Sequence, residues 1–221
     1  MELYRKENGL TFVEEGHRYE LDGKRVMNLT QILDAAGLVD YSGINPDVLA
    51  NKAKFGTKVH ELTLWSDKDD LDIDDLNGTP YLNRVLGWRQ FVEDFNFIPE
   101  LPWCEVPCAV KVNGMLYAMT IDRFGIISEG GSSIGVPAVV EIKTCADRQY
   151  HHQIQTAGKA IAFKGDGSVA VKRMAVYLLD KPNQANRLYF CQPHEERIDE
   201  KVFLSALVLT QVRSNNGLLK G

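Results

Sequence analysis

The apolar and polar positions change period several times along the chain, and each change marks an element. Residues Leu10 to Val26, LTFVEEGHRYELDGKRV, alternate and reverse at Asp22-Gly23, which predicts a β-hairpin. The following NLTQILDAAG has helical spacing, a cap at Asn28 or Thr30 and a stop at Gly37. A second helix is expected from Pro46 to Trp65, with Leu49, Ala53, Gly56 and His60 along one face. Thr79-Pro80 opens a third helix, proline taking the first helical position, with Tyr81, Val85, Trp88, Val92 and Phe95 as its apolar stripe.

Beyond residue 100 the period shortens to that of strands. CEVPCAVKV and MLYAMTIDRFGII read as two strands joined by a turn at Asn113-Gly114. SEGGSSIGVP reads as a flexible loop leading into the strand AVVEIKT. A helix follows over about Gln149 to Phe163, then strands RMAVYLL and RLYFCQ. In the last helix Ile198, Val202, Ser205, Leu209 and Val212 fall in register and are its expected inner face. No internal repeat, low-complexity tract or dividing linker interrupts the series. The expected architecture is one α/β domain over 1–221, a mixed central β-sheet flanked by helices. Its N-terminal hairpin and helices span about 1–100, its core about 101–192 and its C-terminal helix about 194–214.

Composition adds bounds. The chain is 44% hydrophobic and 25% charged over 221 residues, as expected of a globular protein large enough to need no staples. There is no apolar run of about 18 residues, so no membrane span is expected. The opening MELYRKENGLTF has no signal-peptide core, which places the chain in the cytoplasm. Cys104, Cys108, Cys145 and Cys191 share no CxxC spacing and read as scattered reduced thiols. A net charge of −5 argues against a broadly basic protein, yet a nucleic-acid groove needs only local positive charge. The acidic SDKDDLDIDDLNG fails as a calcium loop, because counting from Asp70 puts Asp75 at the required glycine and Tyr81 at the closing glutamate. It reads as a solvated segment.

One stretch asks for chemistry. Glu141 and Lys143 close an apolar strand, and residues two apart share a face, so Val140 and Ile142 point to the core while the charges point together to the other side. Acid-x-Lys also occurs at Asp22 and Asp199, but there it sits on a turn and a helix start, where charge is solvated. Asp122 is a second acid inside an otherwise apolar strand run. Two carboxylates brought together on neighbouring strands repel, and a bound cation relieves them. Hard oxygen ligands suit magnesium or manganese. With Lys143 beside them, the set fits phosphodiester cleavage.

TIDRFG, VVEIKT and QIQTAGKAIA, with the upstream FGTKVHE, together resemble the PD-(D/E)XK nuclease superfamily in its RecB-like exonuclease branch. EVPCAVKVNGMLYAMTID and GHRYELDGKRVMNLTQIL are similar to the first-acid strand and the opening hairpin of small phage-encoded members. The resemblance runs from about Gly16 to Phe190 and implies a restriction-endonuclease-like core. It implies Asp122 and Glu141 as metal ligands for Mg2+ or Mn2+, the Ile142 carbonyl as a further ligand, and Lys143 as the catalytic lysine. It also implies His60 in the metal shell and Gln155 as the helical glutamine that sets the site and holds DNA. Two residues depart from the pattern: Met119 replaces a common glycine, and Lys159 stands where an aromatic residue is usual.

Near the motif in sequence, Arg123, Arg148, Lys159 and Lys164 are candidate phosphate contacts, and Tyr150 and His152 candidate borders of the groove. His151 and His152 otherwise read as surface residues, Gln153 as facing away from Gln155, and Trp88 and Phe91 as core. The expected function is a metal-dependent deoxyribonuclease, an exonuclease by resemblance, acting in phage DNA replication or recombination. Its partners are then DNA and a recombination or replication protein. A structure-specific endonuclease on the same fold and a non-catalytic DNA-binding recombination scaffold are the alternatives.

Overall fold

The computed structural model describes residues 1–13, 15–40, 43–128, 134–145, 147–164 and 170–218. Its strands are β1 (Glu2–Tyr4), β2 (Leu10–Val13), β3 (Arg18–Leu21), β4 (Lys24–Val26), β5 (Ile98–Pro99), β6 (Val106–Val112), β7 (Met115–Ile121), β8 (Arg123–Ile127), β9 (Val136–Lys143), β10 (Lys172–Leu178) and β11 (Tyr189–Pro193). Its α-helices are α1 (Leu29–Ala35), α2 (Pro46–Asp67), α3 (Leu82–Asp94), α4 (Tyr150–Ile161) and α5 (Ile198–Asn215). The fold is mixed α/β, with sheets ordered β1-β6-β7, β11-β10-β9-β8-β5 and β2-β3-β4.

In the five-stranded sheet only β9 and β10 run parallel, and α4 makes the crossover that a parallel pair requires. Alternation along β9 then assigns its two faces. Ala138, Val140 and Ile142 pack with Trp88 and Phe91 of α3. Glu141 and Lys143 project to the other face, where α4 lies against β9 and β10. A second core joins α1, α4 and α5 to β6 and β7 through Leu29, Ile32, Ile154, Phe203, Tyr117 and Ile121. At its centre Gly158 lets three helices meet. A Cβ there would stand 2.6 Å from Leu29 Cδ1 and 3.1 Å from the Phe203 ring.

Asn28, rather than Thr30, caps α1. Its Oδ1 accepts from the Gln31 N–H at 2.9 Å, and Gln31 Oε1 accepts from the Asn28 N–H at 3.0 Å. The expected hairpin is part of a three-stranded meander, with Asp22-Gly23 turning β3 into β4. Helix α3 begins at Leu82, two residues after Pro80, because the Thr79 hydroxyl donates to the Leu76 carbonyl and accepts from the Tyr81 N–H, holding a turn there. On α2 the first half of the expected face, Leu49 and Ala53, is exposed, and burial starts at Val59.

Two expectations are corrected. MLYAMTIDRFGII is two strands in different sheets, β7 and β8, separated by a bend at Asp122. On α5 the expected inner face is turned outward: Ile198, Leu209 and Val212 are exposed, while Asp199, Phe203, Ala206, Leu207 and Thr210 are buried. Asp199 draws that row inward, accepting from Arg173 at 3.0 Å and Gln153 at 3.1 Å. All four cysteines are free thiols. Of the loop SEGGSSIGVP, residues 129–133 lie outside the described residues. The acidic segment holds a short 3-10 helix, Ile73–Leu76, anchored by buried Leu76. Among the described residues no helix is long and apolar enough to cross a membrane.

Candidate active site

The bend between β7 and β8 positions the site. Asp122 sits where the chain leaves one sheet for the other, and its carbonyl accepts from the Glu105 N–H at 3.0 Å. Its side chain turns toward β9 and takes the Ile142 N–H on Oδ2 at 2.9 Å. Asp122 and Glu141 are each 5% exposed, so two carboxylates share a buried space. Such a pair requires cations.

Two lysines supply them. Lys143 Nζ lies 2.8 Å from Glu141 Oε1 and donates to Gln155 Oε1 at 2.9 Å. Gln155 reaches back to the Thr30 hydroxyl at 3.4 Å. Lys159, expected as a phosphate contact, is instead buried, and its charge is paired with the acids. One helical turn beyond Gln155, it places its ammonium 2.6 Å from Asp122 Oδ1 and in an ion pair with Glu141 Oε2. Oε2 is buried and has no partner besides that contact among the described residues. Burial opposes ionisation of Glu141, but Lys143 and Lys159 override it and hold the carboxyl well below its usual range. Burial also opposes the charge on Lys159, and Asp122 and Glu141 outweigh it, raising the lysine above its ordinary value.

A second charged cluster lies behind Asp122. Arg123 was expected as a phosphate contact; it is instead fully buried, with its guanidinium committed to protein groups. Nε meets Asp67 Oδ2 at 2.5 Å, Nη1 meets Glu105 Oε1 at 2.6 Å, and Nη2 meets the Thr63 hydroxyl at 3.0 Å. The other oxygen of Asp67 accepts from Trp88 Nε1 at 2.7 Å. His60 belongs to this cluster, its Nδ1 lying 2.9 Å from Glu105 Oε1. Burial lowers the imidazole pKa, but Glu105 and Asp122 outweigh it, leaving His60 raised to about 8. Its nearest carboxylate partner is Glu105 rather than the Asp122–Glu141 pair.

Sequence reading missed Asp67 and Thr63 in this cluster. Their signal was present: His60, Thr63 and Asp67 recur at helical spacing on one face of α2. Glu105, the acid that opens EVPCAVKV, completes the cluster. It adopts a left-handed φ of 54°, uncommon without glycine, and three partners, Arg123, His60 and the Asp122 carbonyl, secure it.

Other candidates lie at the rim or elsewhere. Arg148 and Tyr150 are exposed at the start of α4, just beyond the carboxyl end of β9, and the Arg148 guanidinium lies 5.0 Å from the Phe190 ring centre. Lys52 is exposed one turn before Gly56, and Gly56 faces Thr144 beside Lys143, at 3.6 Å from the position a Cβ would take. Lys164 pairs with Glu200. His151 and His152, expected at the surface, are buried; His152 Nδ1 contacts the Tyr177 hydroxyl at 2.8 Å, and burial pushes its pKa down to about 3. Gln153 turns away to Asp199. Trp88 and Phe91 are core, as expected.

The donor set can be tested against the implied divalent ion. Asp122 and Glu141 already converge on one cation, the Lys159 ammonium. Oxygen donors suit magnesium or manganese. Among the described residues no three His, Cys, Asp or Glu side chains form a metal-holding group, and His60 contacts Glu105. The donors that converge here are the two carboxylates Asp122 and Glu141. Comparison with protein-family models, curated proteins and solved structures finds no match to this chain.

Proposed function

We propose that this chain is a magnesium- or manganese-dependent deoxyribonuclease with a restriction-endonuclease-like core, hydrolysing DNA phosphodiester bonds. The carrying observation is the convergence of Asp122 and Glu141 on one cation, with Lys143 2.8 Å from Glu141. Asp122, Glu141 and the Ile142 carbonyl would hold the ion. When bound, it supplies Lewis-acid stabilisation of the scissile phosphate.

The residues divide the remaining work. An ammonium has three protons. Lys143 commits two of them, to Glu141 and Gln155, which leaves the third for a phosphate oxygen as negative charge develops. Gln155 fixes the lysine through its own link to Thr30. Arg148 and Lys52 on the rim are charges for flanking phosphates, and Tyr150, 54% exposed, is a platform for a base or sugar. Arg123 holds the Asp122 carbonyl at 2.6 Å and so positions the first acid rather than the substrate. Action at DNA ends, and a place in phage replication or recombination beside a partner protein, follow from the family resemblance.

The test is digestion of end-labelled linear DNA and covalently closed circular DNA, with EDTA and with added magnesium or manganese. Metal-restored cleavage of the linear substrate alone supports the exonuclease; cleavage of the circle makes it an endonuclease. Glu141→Ala abolishes turnover while DNA binding persists, and Lys143→Ala lowers turnover by about 100-fold or more. Activity retained in EDTA refutes the metal-dependent mechanism. One observation favours the non-catalytic DNA-binding reading: Lys159 already neutralises the acid pair. DNA binding without cleavage in either metal selects that reading.

A further inference from the structure

We propose that Lys159 is the resident counter-ion of the Asp122–Glu141 pair, and that a divalent cation enters only by displacing its ammonium. The lysine therefore sets the metal affinity of the site. This deepens the function proposed above and rests on it only for the identity of the site.

The geometry is that of competition for one position. The ammonium lies 2.6 Å from Asp122 Oδ1 and pairs with Glu141 Oε2. Neither of these two oxygens has another partner among the described residues. The other two are already engaged, Asp122 Oδ2 accepting from the Ile142 N–H and Glu141 Oε1 holding Lys143. A divalent ion bridging the carboxylates through the pair that faces Lys159 therefore competes with the ammonium for one position.

Charge makes the exchange consequential. Asp122, Glu141, Lys143 and Lys159 sum to zero, so the pair is neutralised before any metal arrives. Replacing the ammonium at the carboxylates by a divalent ion, with Lys159 tethered nearby, gives the same cluster a charge of +2. That surplus is what a phosphodiester needs. The competing contact is strong because it is dry, the Lys159 side chain being 8% exposed.

The fold favours movement of the side chain over movement of the helix. Gly158 is wedged against Leu29 and Phe203, and its carbonyl accepts from the buried Tyr117 hydroxyl at 2.7 Å. The backbone at Lys159 is thereby fixed. Its four-carbon stem is the part free to retract.

The experiment measures binding without turnover. Manganese affinity is measured by electron paramagnetic resonance on wild type and on Lys159→Met, which keeps an unbranched apolar stem and removes the charge. Lys159→Met is expected to bind about tenfold more tightly or better, because no ammonium has to leave. It is also expected to melt lower than wild type in EDTA and to recover in magnesium. Equal or weaker manganese binding by the variant overturns the proposal and leaves the nuclease reading standing. Absence of manganese binding in both proteins overturns the cation site and the metal-dependent reading together. Tight binding without DNA cleavage keeps the proposal and removes the nuclease.

A wild-type measurement covers a variant that does not fold. With lysine Cε labelled, magnesium titration is expected to shift the Lys159 resonance saturably over the range in which manganese binds. Saturation of the site with the Lys159 resonance unmoved overturns the displacement.

Discussion

Replacing Arg123 by methionine isolates what holds the first acid in place. The guanidinium is fully buried and makes contacts to Asp67, Glu105, Thr63 and the Asp122 carbonyl. Methionine fills the stem of the cavity but leaves the Asp67 and Glu105 carboxylates without their shared cation. The Asp67 side chain is 3% exposed and cannot turn to water. Breaking a buried pair by removing one partner costs about 3–5 kcal/mol. That is a large share of a total stability of roughly 5–15 kcal/mol. With a urea slope near 3 kcal/mol/M, the midpoint should fall by about 1–1.7 M. Trp88 reports locally, since its indole donates to Asp67 and its ring lies 5.4 Å from the guanidinium carbon, while far-ultraviolet circular dichroism reports globally. Coincident transitions show that one cooperative unit is being measured. Arg123→Lys keeps the charge without the planar fork and should fall between the two. A folded Arg123→Met variant whose midpoint moves by less than about 0.3 M refutes the reasoning. Arg123 would then be as replaceable as a surface charge.

Two further outcomes are expected. Because the folded pKa of His60 is raised to about 8, its stabilising share is complete below about pH 6.5 and lost as pH rises through 8. That share is about 2 kcal/mol, and His60→Gln should flatten the wild-type decline across this window in urea melts taken at several pH values; an unchanged slope would assign the decline elsewhere. Gly158→Ala should cost about 1–3 kcal/mol, because the new methyl meets Leu29 and Phe203 at close range. A neutral outcome in thermal melts would show that α4 can shift, and would remove the fixed backbone on which the role of Lys159 depends.

The parts of the site legible in the sequence were those set by local period. Alternation put Glu141 and Lys143 on one face of β9, and the structure turns both toward α4. What was not legible depended on which elements meet. The bend at Asp122 is invisible because the strand-like run continues on both sides of it; only the change of sheet makes two strands. Arg123 looks like a surface cation until Asp67, 56 residues earlier, is brought against it. On α5 two rows have helical spacing. The row richer in branched apolar residues lost to the row containing Asp199, because that aspartate meets Arg173 in the interior. His151 and His152 read as surface because they are polar, but α4 is covered on nearly all sides and burial shifts both toward the neutral form.

The two charged clusters share a design with a chemical consequence. Asp67, Glu105, Asp122 and Glu141 are four acids around one bend, and Arg123, Lys143, Lys159 and His60 are the four basic groups set against them. With His60 protonated below about pH 8, the sum is zero. The fold therefore does not depend on a metal to relieve its acids. Under the proposed function, ion and DNA would be linked ligands, each raising the affinity for the other by thermodynamic reciprocity. The rear cluster takes no part in that exchange, because Arg123 is sealed from solvent and cannot leave. The proposed exchange falls to the front cluster, whose second cation sits at the end of a flexible chain. The division between a fixed arginine and a displaceable lysine separates what holds the bend from what operates at it.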